Sequence, residues 1–321
     1  MVAVVEHRSP QEPANPPDAP DAQPPSGGRH RSVGPDGLSV WATAQSTGPV
    51  QRKGRYVAES VKHPARMLPA IAAHAIAHYT QPGDLVLDPM CGIGTTLVEA
   101  VHAGRDALGI EYESRWSDIA DANIKHAHTR GATGRAAVIR GDSTSILSLV
   151  PAALTGQVAL VVTSPPYGPT VHGLVEPGDG GVRKSDNTYN DGTDKGNLAY
   201  RDLTGLTDGF AQILSGCATL LRPGGVVVVT ARPWRKHGQL VDLPSAVIGA
   251  GLRAGLTPVD RCVALLAAVR DDQLVARPSF FQLQAVRKAR RAGTPMHLIA
   301  HEDVLVFAIG LPEISGGEVV A

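Results

Sequence analysis

Asp84-Leu85-Val86-Leu87-Asp88-Pro89-Met90-Cys91-Gly92-Ile93-Gly94-Thr95-Thr96 is the stretch on which the fold turns. A short apolar run ends on a carboxylate, bends on two glycines and enters a helix that reads through Ala103. Glycines in such a turn let the backbone approach a ligand closely, and the amino end of a helix favours negative charge. The next apolar run, Asp106–Glu111, also ends on a carboxylate, about 20 residues on, where it can hold both ribose hydroxyls of an adenosine. This pattern predicts a site for a nucleoside-containing cofactor. The three-glycine G-x-G-x-x-G fingerprint is absent, which disfavours a dinucleotide. The plain structural alternative is a tight turn beside a surface glutamate.

Strand and helix signals alternate on both sides of this turn. His63 to Tyr79 has helical spacing of apolar residues, with Pro64 suited to a first turn. After Glu111 come a helix from Ser114 to about Arg130, a strand at Ala136–Arg140 and an unbroken apolar strand at Val158–Thr163. An unbroken run of that kind is typical of a central parallel strand. A helix follows over Leu203 to Leu221. Arg222-Pro223-Gly224-Gly225 stops it, and Val226–Thr230 reads as the fifth strand. A helix over Leu240–Gly251 and apolar segments at Pro258–Val269 and His297–Ile309 close the pattern. The alternation predicts an α/β, doubly wound, mostly parallel sheet.

Length and composition bound the rest. The chain has 321 residues, 43% of them hydrophobic, enough for one large α/β domain. Residues 1–36 are rich in Pro, Ala and Asp and predict a disordered tail. Residues 37–60 form a basic lead-in with Arg52, Lys53 and Arg55, the main domain spans 61–312, and 313–321 are a short tail. The formal net charge is zero, so a polyanion must be held by local basic patches. Three scattered cysteines argue against a disulfide scaffold or a zinc site. No apolar run suits a membrane span or a signal peptide, so the expected location is the cytoplasm.

A second motif, Thr163-Ser164-Pro165-Pro166-Tyr167, follows the fourth strand directly. Two prolines fix the backbone and remove two N–H donors. The carbonyls of such a turn, with the Ser164 hydroxyl, can accept hydrogen bonds from an amino group, while Tyr167 offers a flat face to a base. The plain alternative is a rigid strand-to-loop turn. Its position at the carboxyl end of a central strand, where such sheets bind ligands, favours a site.

In this order the two motifs resemble those of the amino-group DNA methyltransferases, which methylate N4 of cytosine or N6 of adenine. Asp88 to Thr96 is similar to the family's D-P-F-x-G-S-G-T-T, with Met90 and Ile93 as departures. Thr163 to Tyr167 is similar to its catalytic motif, in the serine form typical of N4-cytosine enzymes. Lys62 to Met67 resembles the segment that closes over the methionine part of the cofactor. Leu220–Gly225 and His301–Leu305 resemble further family segments. The resemblance implies a Rossmann-like sheet of seven strands, the last antiparallel. It implies S-adenosylmethionine as cofactor, held by His63, Pro64, Met67, Asp88, Pro89, Met90, Cys91, Gly92, Gly94, Thr95, Thr96, Glu111, Tyr112, Asp142 and Ser143. Ser164, Pro165, Pro166 and Tyr167 are the implied catalytic residues. DNA is the implied substrate and RNA the alternative, with no metal, no membrane and a restriction endonuclease as a candidate partner. Adenine-N6 methylation, tRNA guanine-N2 methylation and a non-catalytic nucleic-acid-binding protein of this fold stand as alternatives. Five-carbon methylation is disfavoured, because no cysteine here follows a proline.

Two segments remain for nucleic acid. The loop 168–199, rich in Gly, Asp and Asn, is long enough to be functional and is expected to order over substrate. Residues 277–293 carry Arg277, Arg287, Lys288, Arg290 and Arg291 and no acid, with Phe280 and Phe281 near the start. A solvated amphipathic helix is the plain alternative. His74 and His78 share a helix face but lack the Glu of a zinc motif. Asp142 either approaches the adenine of the cofactor or caps the next helix.

Overall fold

The computed structural model describes residues 37–166, 175–178, 181–184, 197–236, 239–278 and 280–310. The chain divides into residues 1–37 and 38–321, and the second unit carries the fold below. The 1–36 and 313–321 tails, Tyr167 and most of the 168–199 loop lie outside the described residues.

In chain order the elements begin with β1 (Val40–Trp41), α1 (Gly48–Arg52), α2 (Pro69–Tyr79), β2 (Leu85–Asp88), α3 (Thr95–His102) and β3 (Asp106–Glu111). Then come α4 (Ser114–Thr129), β4 (Ala136–Arg140), α5 (Ile146–Leu149), β5 (Val158–Thr163), the hairpin β6 (Val175–Gly178) and β7 (Gly181–Lys184), and α6 (Leu203–Leu220). The remainder is β8 (Leu221–Ala231), β9 (Trp234–Lys236), β10 (Gln239–Val241), α7 (Leu243–Arg253), β11 (Thr257–Leu265), β12 (Ala267–Arg270), β13 (Gln273–Ala276), α8 (Phe280–Arg291) and β14 (His301–Ala308).

The main sheet runs β1-β11-β14-β8-β5-β2-β3-β4. β14 is antiparallel to both its neighbours, and every other pairing in the sheet is parallel. This is the doubly wound α/β sheet that the alternation predicts, with the antiparallel last strand that the resemblance implies. Alternating residues of the central strands feed two cores. Val161, Val227, Val229, Leu305 and Phe307 meet Phe210 and Ile213 of α6 on one face. Leu160, Val162, Val228 and Val306 meet Ile71 and Ile76 of α2 and Leu97 of α3 on the other. Burial on both faces explains why β5 is apolar throughout: all six of its residues are buried.

The structure corrects four local expectations. The sheet has eight strands rather than seven. The extra strand, β1, pairs with β11 at Val40↔Val263 and Trp41↔Ala264, and the Trp41 ring lies 4.3 Å from that of His74. Two residues give no periodicity to read, so only the partner strand defines it. The first long helix starts at Pro69, not near Pro64. Pro69 takes the first-turn position and Leu68, its extended cap, ends the non-helical run from His63. The apolar segment 258–269 is not one strand, since β11 stops at Leu265 and Ala267–Arg270 begins a separate hairpin with β13. The helix read over 240–251 is α7, Leu243–Arg253, begun by Asp242, whose carboxylate accepts from the Ser245 amide.

The lead-in residues pack into this unit. Arg55 forms a two-pronged ion pair with Glu99 of α3, Nε to Oε1 at 2.9 Å and Nη2 to Oε2 at 2.6 Å, and the Tyr56 hydroxyl donates to the same carboxylate at 2.6 Å. The nearby histidines are ordinary helix residues: the rings of His74 and His78 stack 6.2 Å apart along α2. Among the described residues, no three His, Cys, Asp or Glu side chains gather as a metal would require, and no helix is long and apolar enough to cross a membrane.

Candidate active site

The carboxyl ends of β2, β3 and β5 open into one cavity of about 420 Å³. The β2–α3 turn forms its floor. Gly92 adopts φ +53°, and a Cβ there would sit 3.0 Å from His63 Nε2, so this position needs glycine for both conformation and space. Gly94 (φ +78°) starts α3 against Ala120 of α4, where a Cβ would come within 3.2 Å of the Ala120 Cβ. Gly94 therefore shapes the turn from behind and does not line the cavity.

Two buried carboxylates anchor the turn. Asp88 accepts from the Thr96 hydroxyl at 2.7 Å and from the Met90 amide at 3.1 Å. Burial raises its pKa to about 6 in spite of these bonds. Glu111 takes one amide on each oxygen, Gly92 N and Glu113 N, both at 2.8 Å. Burial raises its pKa to about 7 against those two bonds, with the Glu113 and Asp88 carboxylates pushing the same way. The Ser143 hydroxyl donates to the Pro89 carbonyl, closing the turn from the β4 side. Asp142 lines the cavity and also caps the following turn, accepting from the Thr144 amide at 2.9 Å, which is the capping part expected of it.

His63, Pro64 and Met67 also line the cavity, with the His63 ring against Gly92. The His63 ring stands edge-on to Trp116, 4.6 Å between centroids, and its Nδ1 accepts from the Ala65 amide at 3.2 Å. Cys91, Tyr112 and Thr95 also line the cavity, while Ser164, Pro165 and Pro166 enter it from the end of β5. Thus, of the implied cofactor and catalytic residues that are described, all but Gly94 converge here. Tyr167 lies outside the described residues. Arg277, Arg287, Lys288, Arg290 and Arg291 do not line the cavity; they are exposed on and just before α8, which buries Val286 beneath them.

With this geometry in place, comparison with known proteins finds local similarity. The family described as DNA methylase, of the N6/N4 methyltransferases, matches residues 10–122, which include the whole Asp88–Thr96 turn and Glu111. Over that stretch the chain is similar to the amino-group DNA methyltransferases. It is 34% identical over 89 residues to the Type II methyltransferase M.HinfI of Haemophilus influenzae, covering 27% of this chain and 24% of that one. It is 39% identical over 54 residues to M.MthZI of Methanothermobacter thermautotrophicus, covering 17% and 15%. The chain thus spans about a quarter or less of the length of these curated relatives. Among solved structures it is similar to TrmN from Thermus thermophilus, with a TM-score of 0.47, 16% identity, and coverage of 81% of this chain and 53% of that one.

The residues present fit S-adenosylmethionine, the cofactor that the resemblance implies. Five carboxyl groups, Asp88, Glu111, Glu113, Asp142 and Glu302, line the cavity against two arginines, a lining suited to a ligand with a cationic sulfonium centre. Arg66, also in the lining, supplies the complementary charge for a carboxylate. Burial, and then the nearby Arg52, lower its pKa to about 10, and its guanidinium donates to a neutral partner, the Ser60 carbonyl, at 2.9 Å.

Sequence reasoning missed Arg66, Glu113, Asn197, Arg232 and Glu302. Arg66 stands inside a quoted motif, and its signal was a cation with no acid in local sequence. Asn197 donates to Glu113 at 2.7 Å and starts the Leu198–Tyr200 turn, which places buried Leu198 and Ala199 against the cavity. Arg232 and Glu302 stand at strand ends, a usable signal only once the strand order is known.

Proposed function

We propose that this chain is an S-adenosylmethionine-dependent methyltransferase acting on an exocyclic amino group of a DNA base, most specifically N4 of cytosine. The observation that carries the proposal is the shared cavity: Ser164-Pro165-Pro166 faces the same space as the glycine turn and Glu111. Bound there, S-adenosylmethionine supplies an electrophilic methyl group on sulfur. The protein's part is to hold and orient. Glu111 accepts from the ribose hydroxyls, and Arg66 pairs with the amino-acid carboxylate. The Ser164 hydroxyl and the Pro165 carbonyl accept the two hydrogens of the base amino group, turning its lone pair toward the methyl without a covalent enzyme intermediate. Tyr167, next in sequence, offers a stacking face to the base. Drawing a base from a duplex costs a few kcal/mol, offset by stacking and hydrogen bonds in the pocket.

Serine at position 164 supports cytosine over adenine through the family resemblance. Both bases present a weakly nucleophilic amino group, so N6-adenine methylation is the second reading, and the matched family covers both reactions. The exposed cations of α8 are the proposed contacts to phosphates. The names of the two Type II relatives support a restriction–modification setting, with a nuclease partner as part of that proposal. Unmethylated DNA is incubated with tritiated cofactor and digested for nucleoside mass spectrometry. Label in N4-methylcytosine is expected. Label in N6-methyladenine alone sinks the cytosine assignment, and no label in any DNA nucleoside sinks DNA as substrate.

A further inference from the structure

Two arginines line the cavity, and they stand on different elements. Arg66 belongs to the His63–Leu68 wall, while Arg232 follows β8 directly. β8 pairs with β5 through Val229↔Thr163 and with β14 through Ala231↔Asp303. Ser164 and Arg232 therefore leave neighbouring strands at the same, carboxyl edge of the sheet. Glu302, buried, stands on β14 one residue before the last of those pairs, as Arg232 stands one residue after it. Arg232 and Glu302 line the cavity together with Ser164, Pro165, Pro166 and Leu266.

From this juxtaposition we infer that Arg232 is the residue that reads the ring edge of the target base. The inference rests on the amino-methyltransferase reading above and deepens it. A base whose amino group is held at Ser164 presents the next positions of the same edge to whatever stands beside that serine. In cytosine those positions are N3 and O2, both hydrogen-bond acceptors. In adenine they are N1, an acceptor, and C2–H, which is not. A guanidinium is a planar fork of parallel donors. It can satisfy N3 and O2 together, whereas adenine uses only one prong. Five N–H donors leave enough for the base while Arg232 keeps partners within the protein. Glu302 cannot take the same role, because an ionised carboxylate only accepts and would face two acceptors. Its place beside Arg232 suits it to position the guanidinium.

The test compares wild type with Arg232→Met and Arg232→Lys on unmethylated DNA, scoring N4-methylcytosine by mass spectrometry. S-adenosylhomocysteine affinity by calorimetry and DNA affinity by fluorescence anisotropy are measured alongside. Arg232→Met is expected to lower kcat/KM for cytosine by roughly 10- to 100-fold, the discrimination typical of one bidentate base contact, with S-adenosylhomocysteine affinity unchanged. Arg232→Lys should recover only part, since a point donor cannot span both acceptors. Turnover of Arg232→Met within about threefold of wild type overturns the assignment and leaves the base reading intact. Lost S-adenosylhomocysteine binding would place Arg232 in the cofactor site instead. Weakened DNA binding with unchanged kcat would make it a phosphate contact, and either result overturns the inference. Wild type that forms only N6-methyladenine overturns the cytosine reading and the N3/O2 contact together.

Discussion

Replacing Glu111 with glutamine tests the cofactor site at its most strained charge. The carboxylate is 8% exposed and already accepts two backbone amides at 2.8 Å, yet its pKa is pushed up to about 7. A carboxylate has about four lone-pair sites, so two ribose hydroxyls can still be accommodated. Hydroxyl donors favour the ionised form, so binding of an adenosine should pull the proton off. The sign follows: wild-type affinity for S-adenosylhomocysteine should rise between pH 6 and pH 8, by less than tenfold per pH unit, with proton release near neutrality. Glutamine carries one acceptor oxygen and an NH2 group, so it must present a donor to either the Gly92 or the Glu113 amide. The unpaired amide burdens the free and bound protein alike, whereas the lost charged hydrogen bonds to the ribose cost the complex about 1.5–3 kcal/mol. Affinity should fall by roughly 10- to 100-fold and its pH dependence should flatten. Calorimetry in buffers of different ionisation enthalpy reads both affinity and proton count. A variant with wild-type affinity, or a wild type that releases no proton, would refute the assignment of Glu111 to the ribose. Stability has the opposite trend. A carboxyl whose folded pKa is raised from 4.5 to about 7 stabilises the fold fully below pH 4.5, and that contribution is lost as pH rises toward 7.

Arg66→Met should weaken S-adenosylhomocysteine by about 1.5–3 kcal/mol, the range for a hydrogen bond to a charged group, yet leave 5′-methylthioadenosine, which lacks the amino acid, unaffected. Equal loss for both ligands would show that the His63–Leu68 wall had collapsed. Ser164→Ala should lower kcat by roughly 100-fold or more while S-adenosylhomocysteine affinity stays constant, because its hydrogen bond matters most as charge develops on the amine. An unchanged kcat removes Ser164 from the chemistry. Arg55→Ala leaves Glu99, 5% exposed, without its ion-pair partner and should destabilise the fold by about 2–4 kcal/mol in urea denaturation. A loss below about 0.5 kcal/mol would mean the pair behaves as a surface salt bridge.

Most residues of the candidate cofactor half of the cavity were legible in the chain itself. The turn Asp88–Thr96 and the strand end at Glu111 are local patterns: a carboxylate at the end of an apolar run, then glycines where positive φ and close approach are needed. Those glycines did two jobs that the sequence could not separate. Gly92 faces the cavity, whereas Gly94 packs against Ala120 behind it. The helix start was misplaced by five residues because Pro64 and Pro69 are equally good first-turn residues by local rules. Tertiary contact chose between them, keeping His63 to Leu68 extended as a wall of the cavity. Arg55, read as part of a basic lead-in, is engaged by Glu99, a pairing across 44 residues that no local pattern reports.

By itself, then, the sequence determined the α/β alternation and the two motifs, because burial periodicity and turn chemistry act over a few residues; the antiparallel final strand came only from the resemblance that those motifs carry. Strand order was decided only by the assembled sheet. β8 comes to lie between β5 and β14 through pairings made far along the chain, and that placement alone sets Arg232 and Glu302 beside Ser164. Charged residues at strand ends are common, and which of them share a cavity depends on which strands are neighbours.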